Sequence, residues 1–341
     1  MTIPNHRVPS HRGILPSADD FPGEVVTRAI TRDVDLGPGI GVLALITLDN
    51  GHDHTKPNTF GPQGLLSLSA ALDAAEARAA AGEIAAVGVT GKPFILAAGA
   101  DLDGAAAAIA GAGIDPAEAR ERALGIASLG HAVFRRLGEL PVPSFAFING
   151  VALGGGLEVA LHCTYRTISS GVPMVAFPEC FLGLVPGWGG TYLLPRLIGP
   201  ARALKLIIEN PFSQNKMLRG PEAFELGIAD AMFEPADFLE ESLRWAAKIL
   251  SGAETVARYA GSPAARPSRP SASAARETVS APVSTRAAQR SDSSRKSAGW
   301  NMASAMPSSN ASGPRSILFC ESGFSMISLS ARAGPISRGS R

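Results

Sequence analysis

Long apolar runs are missing from this 341-residue chain. Nothing approaches the ~18–20 consecutive apolar residues that a membrane-spanning helix needs. The opening, MTIPNHRVPSHRGILPSADDFPG, has no apolar h-region, so no secretory signal is expected. Cysteine is scarce: Cys163, Cys180 and Cys320 form an odd set with no CxxC spacing. That argues against a disulfide framework or a zinc ribbon and points to a reducing cytoplasm. Aromatic residues are few, at 6%, and charge of one sign is lacking, with 31 Lys+Arg against 30 Asp+Glu. Glycine, at 37 residues, and proline, at 26, are plentiful, so backbone turns matter.

The net charge of +1 averages two unlike pieces. Residues 261–341 hold 11 Lys+Arg and 3 Asp+Glu, so 31 − 11 leaves 20 basic and 30 − 3 leaves 27 acidic residues in 1–260. The longer piece is acidic, which disfavours broad nucleic-acid binding. The shorter piece is rich in Ser and Arg, and its apolar residues follow neither a period of 2 nor one of 3.6. No face there can be buried to offset ordering entropy. Two accounts fit residues 257–341: a genuine disordered tail, or a shifted reading frame in a GC-rich gene, which yields Ser/Arg/Ala/Pro text. The expected organisation is a loose lead-in over 1–23, a folded domain over 24–256 and the tail over 257–341.

Within 24–256 the pattern alternates. GIGVLALITLDN (39–50) reads as a strand ended by a turn, and GHDHTKPNTFGPQ (51–63) as a loop. Residues 65–84 have helical spacing, 85–91 a short buried strand, and KPFILAAGADLDG a strand tip running into a Gly/Ala turn. Residues 105–138 read as helical with a break near Gly111–Pro116. VPSFAFING (142–150) is a strand, VALGGGLEVALHC a glycine turn entering a helix, and TYRTIS and PMVAFPE are extended. ARALKLIIEN, GPEAFELGIAD and DFLEESLRWAAKIL read as three helical segments. Strands alternating with helices predict an α/β class with a largely parallel sheet.

Three short stretches can carry chemistry. In Gly154-Gly155-Gly156-Leu157-Glu158 a strand ends and a helix begins. The first amides of a helix lack intrahelical partners and sit at the positive end of its dipole, and glycine lets a ligand approach them. Such a turn suits an oxyanion or a polarised carbonyl. Glu158 falls about one turn after Gly155, on the same side. Read alone, the turn serves equally for tight strand–helix packing, with Glu158 as a first-turn dipole partner. Ala97-Ala98-Gly99-Ala100-Asp101-Leu102 again leaves backbone accessible after a strand, although by itself it reads as a β-turn with Asp101 as an N-cap. In Phe177-Pro178-Glu179 the proline holds Phe177 extended and presents Glu179, by itself a surface glutamate.

Taken together, AAGADL (97–102), PVPSFAFINGVALGGGLEVALHC (141–163) and FPECFLGLVPGWGGTYLLPRLIG (177–199) resemble the enoyl-CoA hydratase/isomerase (crotonase) superfamily. ELGIADAMFEPADFLEESLRWAAKIL (225–250) is similar to its closing helices, and the resemblance covers roughly 24–250. It implies a spiral of ββα units and an acyl-CoA thioester as substrate, with no cofactor. It also implies an oxyanion hole from the amides of Ala100 and Gly155, and two carboxylates at Glu158 and Glu179, 21 residues apart. Both glutamates together tilt toward hydration of trans-2-enoyl-CoA in fatty acid β-oxidation. The alternatives are Δ3,Δ2-enoyl-CoA isomerisation resting mainly on Glu179, and a silent fragment of a multifunctional protein. The substrate-binding residues implied are Lys56, Ala98, Gly99, Asp101, Leu102 and Gly154, and the assembly implied is a homotrimer or hexamer.

The sequence also departs from the family. Thr164 stands where relatives usually carry an acidic residue, and the 51–60 loop is unlike the common form. His52-Asp53-His54 has some look of a metal site, but histidines two apart in a loop are more often solvated, and no metal is expected. Trp188 suits either an acyl pocket or packing, and Cys163 suits the core. The stretches NPFSQNKMLRGPEAF and PGWGGTYLLP look closest to the hydratase part of multifunctional β-oxidation proteins. No strand–GxGxxG–helix unit follows them here.

Overall fold

A computed structural model describes residues 24–102, 115–213 and 216–256. These belong to one unit, Met1–Ser268; the other, Arg269–Arg341, lies outside the described residues, as do the expected lead-in and tail. Six strands form the larger sheet in the order β1-β2-β3-β5-β7-β9, and three form a smaller one, β4-β6-β8. The larger sheet holds β1 (Arg28–Asp35), β2 (Val42–Asp49), β3 (Ala86–Gly91), β5 (Ser144–Ile148), β7 (Tyr165–Ser169) and β9 (Ala231–Phe233). The smaller holds β4 (Ile95–Ala97), β6 (Val151–Leu153) and β8 (Val175–Ala176). Every pairing is parallel except β1 with β2. Each of the pairs β3–β4, β5–β6 and β7–β8 sends its first strand to the large sheet and its second to the small one. This is the repeated ββ step of the expected spiral.

The central strands read as unbroken apolar runs because both of their faces are buried. Along β5, Ala146 and Ile148 enter one core while Phe145 and Phe147 enter another on the opposite face, as the two-residue period of a strand requires. The first core lies under helices α1 (Pro62–Ala80), α2 (Pro116–Glu139) and α3 (Gly155–His162). The second is closed by the helix Phe238–Leu250, whose Trp245 crosses Phe145 edge-on at 6.2 Å.

Several boundaries differ from expectation, each for a local reason. Helix α1 starts at Pro62, which supplies the fixed φ of a first helical position, and stops at Ala80, ahead of Gly82 at φ +75°. Helix α2 starts at Pro116 behind Asp115, whose carboxylate accepts the Ala117 N–H at 3.2 Å; residues 103–114 of the expected helix lie outside the described residues. Strand β1 carried no sequence signal because it is an edge strand with most side chains in solvent. ARALKLIIEN contains a π-helical turn over Lys205–Glu209 between Pro200–Leu204 and Asn210–Phe212. GPEAFELGIAD is not helical throughout. Only Gly220–Leu226 is helical; it ends at left-handed Gly227, and the chain returns as β9.

Candidate active site

Two turns meet at the junction of the sheets. The first follows β4. Ala98 donates its N–H to the Asn58 carbonyl at 2.8 Å, Phe60 donates to the Gly99 carbonyl at 2.8 Å, and Asp101 donates to the Phe60 carbonyl at 3.0 Å. In this parallel bridge between Phe60 and Ala100, the groups flanking Ala100 face Phe60. The Ala100 N–H therefore points the other way. The second turn follows β6, where Gly154 at φ +50° and ψ −122° redirects the chain into α3. A Cβ on Gly99 would lie 3.4 Å from the Gly155 nitrogen and 3.4 Å from the Leu153 carbonyl. The two turns are thus in contact. Among the described residues neither the Ala100 nor the Gly155 N–H has a hydrogen-bond partner.

The three glycines are required by close approach. A Cβ on Gly154 would lie 2.6 Å from a Glu179 carboxylate oxygen, one on Gly155 2.7 Å from the Trp188 ring, and one on Gly156 1.9 Å from the Ala97 carbonyl. Side chains at these positions would push apart the groups that the fold gathers here. Gly154 therefore serves by leaving room for Glu179.

Glu158 is 2% exposed on α3. Its Oε1 accepts the Gly190 N–H at 2.8 Å, and the Trp188 N–H also points to its carboxylate. Burial raises its pKa to about 7, against the pull of those two amides. Glu179 opens a 3₁₀ turn, Glu179–Leu182, directly after Pro178. Its Oε2 is buried, with no hydrogen-bond partner among the described residues. Burial raises its pKa to about 7, and the nearby Glu158 charge adds to the rise. The fold therefore brings both carboxyls to one place beside the two amides.

The remaining expected residues surround this centre unevenly. Gly99 is buried, Ala98, Ala100 and Asp101 are half-buried, and Leu102 and Lys56 are exposed. The Lys56 loop is held from beneath by Lys92, which sequence reading missed. Lys92 is 4% exposed, and its ammonium donates to the carbonyls of His52 at 2.8 Å, Asp53 at 2.9 Å and Lys56 at 2.6 Å, and to the Asn50 side chain. His52, Asp53 and His54 are exposed. Asp53 is spent on the backbone N–H and hydroxyl of Thr55.

Trp188 belongs to the aromatic core, edge-on to Phe134 at 5.3 Å and Phe60 at 6.4 Å. Cys163 is also core. Burial pushes its thiol up to about 12 and leaves it no nucleophilic character. Thr164 makes its own structural link: its N–H donates to the Ser144 hydroxyl at 3.0 Å and its hydroxyl accepts the Ser144 N–H at 3.3 Å. His162 also went unremarked in the sequence. It is buried, and its Nε2 lies 2.7 Å from the Trp188 carbonyl. Its position four residues after Glu158, on the same helical face, was the available signal.

Residues 41–299, more than half of the chain, match the family described as Enoyl-CoA hydratase/isomerase. The fatty acid oxidation complex subunit alpha of Shewanella loihica is 35% identical over 207 residues, 60% of this chain and 26% of that protein. The crotonyl-CoA hydratase of Syntrophomonas wolfei is 37% identical over 141 residues, 41% of this chain and 50% of that protein. The chain thus spans about a quarter and a half of the lengths of these two relatives. Among solved structures, an enoyl-CoA hydratase from Bacillus anthracis superposes with a TM-score of 0.53 at 26% identity, covering 65% of this chain and 76% of that one. The fold is the crotonase fold, and the chain belongs to the enoyl-CoA hydratase/isomerase family.

Proposed function

We propose that this chain hydrates trans-2-enoyl-CoA to 3-hydroxyacyl-CoA in fatty acid β-oxidation, as a cytoplasmic enzyme. One observation carries the reading: the buried Glu158 and half-buried Glu179 carboxyls, both with pKa raised to about 7, sit beside two backbone amides that have no partner among the described residues. The thioester carbonyl oxygen accepts from the Ala100 and Gly155 N–H groups. Glu158, whose carboxylate is favoured by two amide donors, removes a proton from water. The water oxygen bonds to the β-carbon, and the alkene π pair moves through the α-carbon onto the thioester oxygen. The two amides stabilise that enolate charge, an effect worth about 3–4 kcal/mol per donor in comparable oxyanion holes. Glu179, whose Oε2 has no donor among the described residues and whose protonated form the nearby Glu158 charge favours, is the acid; it delivers its proton to the α-carbon. Proton return from Glu158 to Glu179 closes the cycle. Water is added with no net oxidation, so no redox cofactor or metal is required. Ala98, Gly99, Asp101, Leu102 and Gly154 line the path to the oxyanion hole, and Lys56 meets the CoA end. The subunits assemble as trimers or pairs of trimers.

The test is the loss of enone absorbance when the purified chain meets crotonyl-CoA. Glu158→Gln and Glu179→Gln should each slow the reaction by roughly 10²–10⁴-fold, the range for a lost general acid or base. Near-wild-type turnover in either variant, or a folded chain with none, would overturn the reading. Turnover of a 3-enoyl-CoA to the 2-enoyl isomer that survives Glu158→Gln, without hydration, would instead mark an isomerase.

A further inference from the structure

Glu158 owes its orientation to a turn that is itself held from the far side. The peptide groups of 188–190 face two ways. The Gly190 N–H, at 2.8 Å, and the Trp188 N–H point to the Glu158 carboxylate. The Trp188 carbonyl points to His162 Nε2, 2.7 Å away. A carbonyl has no proton to give, so Nε2 carries the hydrogen and the imidazole is the donor. Gly189, between these peptides, adopts φ +124° and ψ −13°, a backbone shape that side chains rarely tolerate. A Cβ there would lie 2.4 Å from His162 Nε2, so the ring sits directly against this glycine. His162 and Glu158 lie one turn apart on α3, and both reach the same loop.

We infer that His162 is the positioning residue for Glu158: its Nε2–H fixes the Trp188 carbonyl and so holds the turn whose Gly190 amide binds the carboxylate. The inference rests on Glu158 acting as the base of the proposed hydration. The ring is suited to the task because it stays neutral, with one fixed donor. Burial lowers its pKa to about 4, and the charges facing it from α2, His131 and Arg135, push the same way. Of these, the His131 ring lies 6.2 Å from it and Phe134 lies 6.3 Å away. Glu158 is the ionisable group on its own helix one turn before it.

The test compares His162→Leu with His162→Gln, since glutamine can present an amide N–H to the Trp188 carbonyl and leucine cannot. In His162→Leu, kcat for crotonyl-CoA should fall about tenfold or more with KM within twofold. The acid limb of its pH profile should move to higher pH, because slack amides no longer favour the Glu158 carboxylate. His162→Gln should recover most of kcat and return the limb. A merely space-filling histidine predicts the reverse order, with leucine at least as good as glutamine and the limb unmoved; that result overturns the inference. If His162→Leu does not fold, imidazole NMR of the wild-type chain decides. A neutral Nε2–H tautomer with a slowly exchanging proton at pH 6 supports the role, and an Nδ1–H tautomer or an imidazolium overturns it. Glu158→Gln is assayed alongside: full activity there sinks the hydration reading itself, whereas an inactive Glu158→Gln beside an unaffected His162→Leu sinks this inference alone.

Discussion

Replacing Glu179 by Gln should cost activity and yet stabilise the protein in alkaline solution. The Glu179 carboxyl is raised from 4.5 to about 7, chiefly by burial and further by the neighbouring Glu158 charge. A group whose folded pKa lies above its unfolded value contributes stability that is full below the unfolded pKa and is lost as pH rises through the folded one. Here that window runs from 4.5 to about 7. With about 1.36 kcal/mol per pKa unit, holding this carboxylate charged at pH 8 costs on the order of 3 kcal/mol. Glutamine has nearly the same shape and never charges. At pH 5 the two proteins bury similar neutral groups and should melt together within a degree or two. At pH 8 the variant should be the more stable by about 1–3 kcal/mol, roughly 2–4 °C in Tm for each kcal/mol in a folded domain of about 150–250 residues. Parallel thermal melts from pH 5 to 8 measure the difference. A Tm difference that does not change with pH would refute the account of this site as two carboxyls whose charged forms are penalised by burial.

Ala100→Pro removes one oxyanion donor while leaving the bridge to Phe60, which does not use that N–H. Turnover should fall by roughly 10²–10³-fold with the circular dichroism spectrum preserved; a fully active variant would remove Ala100 from the site. Lys92→Met leaves the carbonyls of His52, Asp53 and Lys56 without their shared donor. These bonds are only part-buried and water can reach the freed carbonyls, so denaturant melts should show a loss of about 1–3 kcal/mol in all; a variant as stable as wild type would show the loop to be held by other means. Trimming the chain after residue 256 should leave Tm and hydration rate unchanged, and a drop in either would place part of the functional fold in 257–341.

The sequence disclosed those parts of the site that depend on backbone type. Glycines at 154–156, small residues at 97–100 and a proline before Glu179 are local signals. The structure shows what each glycine makes room for: Glu179, the Trp188 ring and the Ala97 carbonyl. The buried central strands were legible because burial on both faces demands unbroken apolar runs. Strand β1 was not, since its side chains mostly face water and no period is imposed on them. Strand β9, three residues long, is defined by its parallel partner β7 rather than by its own composition. The roles of His162 and Lys92 were not legible for another reason, although the spacing of His162 from Glu158 put it on the right helical face. Their partners are carbonyls 26 residues away for His162, and 36 to 40 residues away for Lys92. Only the folded chain says that a polar side chain is aimed at distant backbone.

The central claim is that one carboxyl takes a proton from water and the other places one on the α-carbon. The most direct measurement is mass spectrometry of the product formed from a trans-2-enoyl-CoA in ¹⁸O-labelled water and, separately, in deuterated water. The account predicts a 3-hydroxyacyl-CoA carrying one solvent oxygen at the β-carbon and one solvent hydrogen at the α-carbon, with this labelled product formed roughly 10²–10⁴-fold more slowly by Glu158→Gln and Glu179→Gln. A wild-type product of unchanged mass, or solvent hydrogen gained without solvent oxygen, would contradict it.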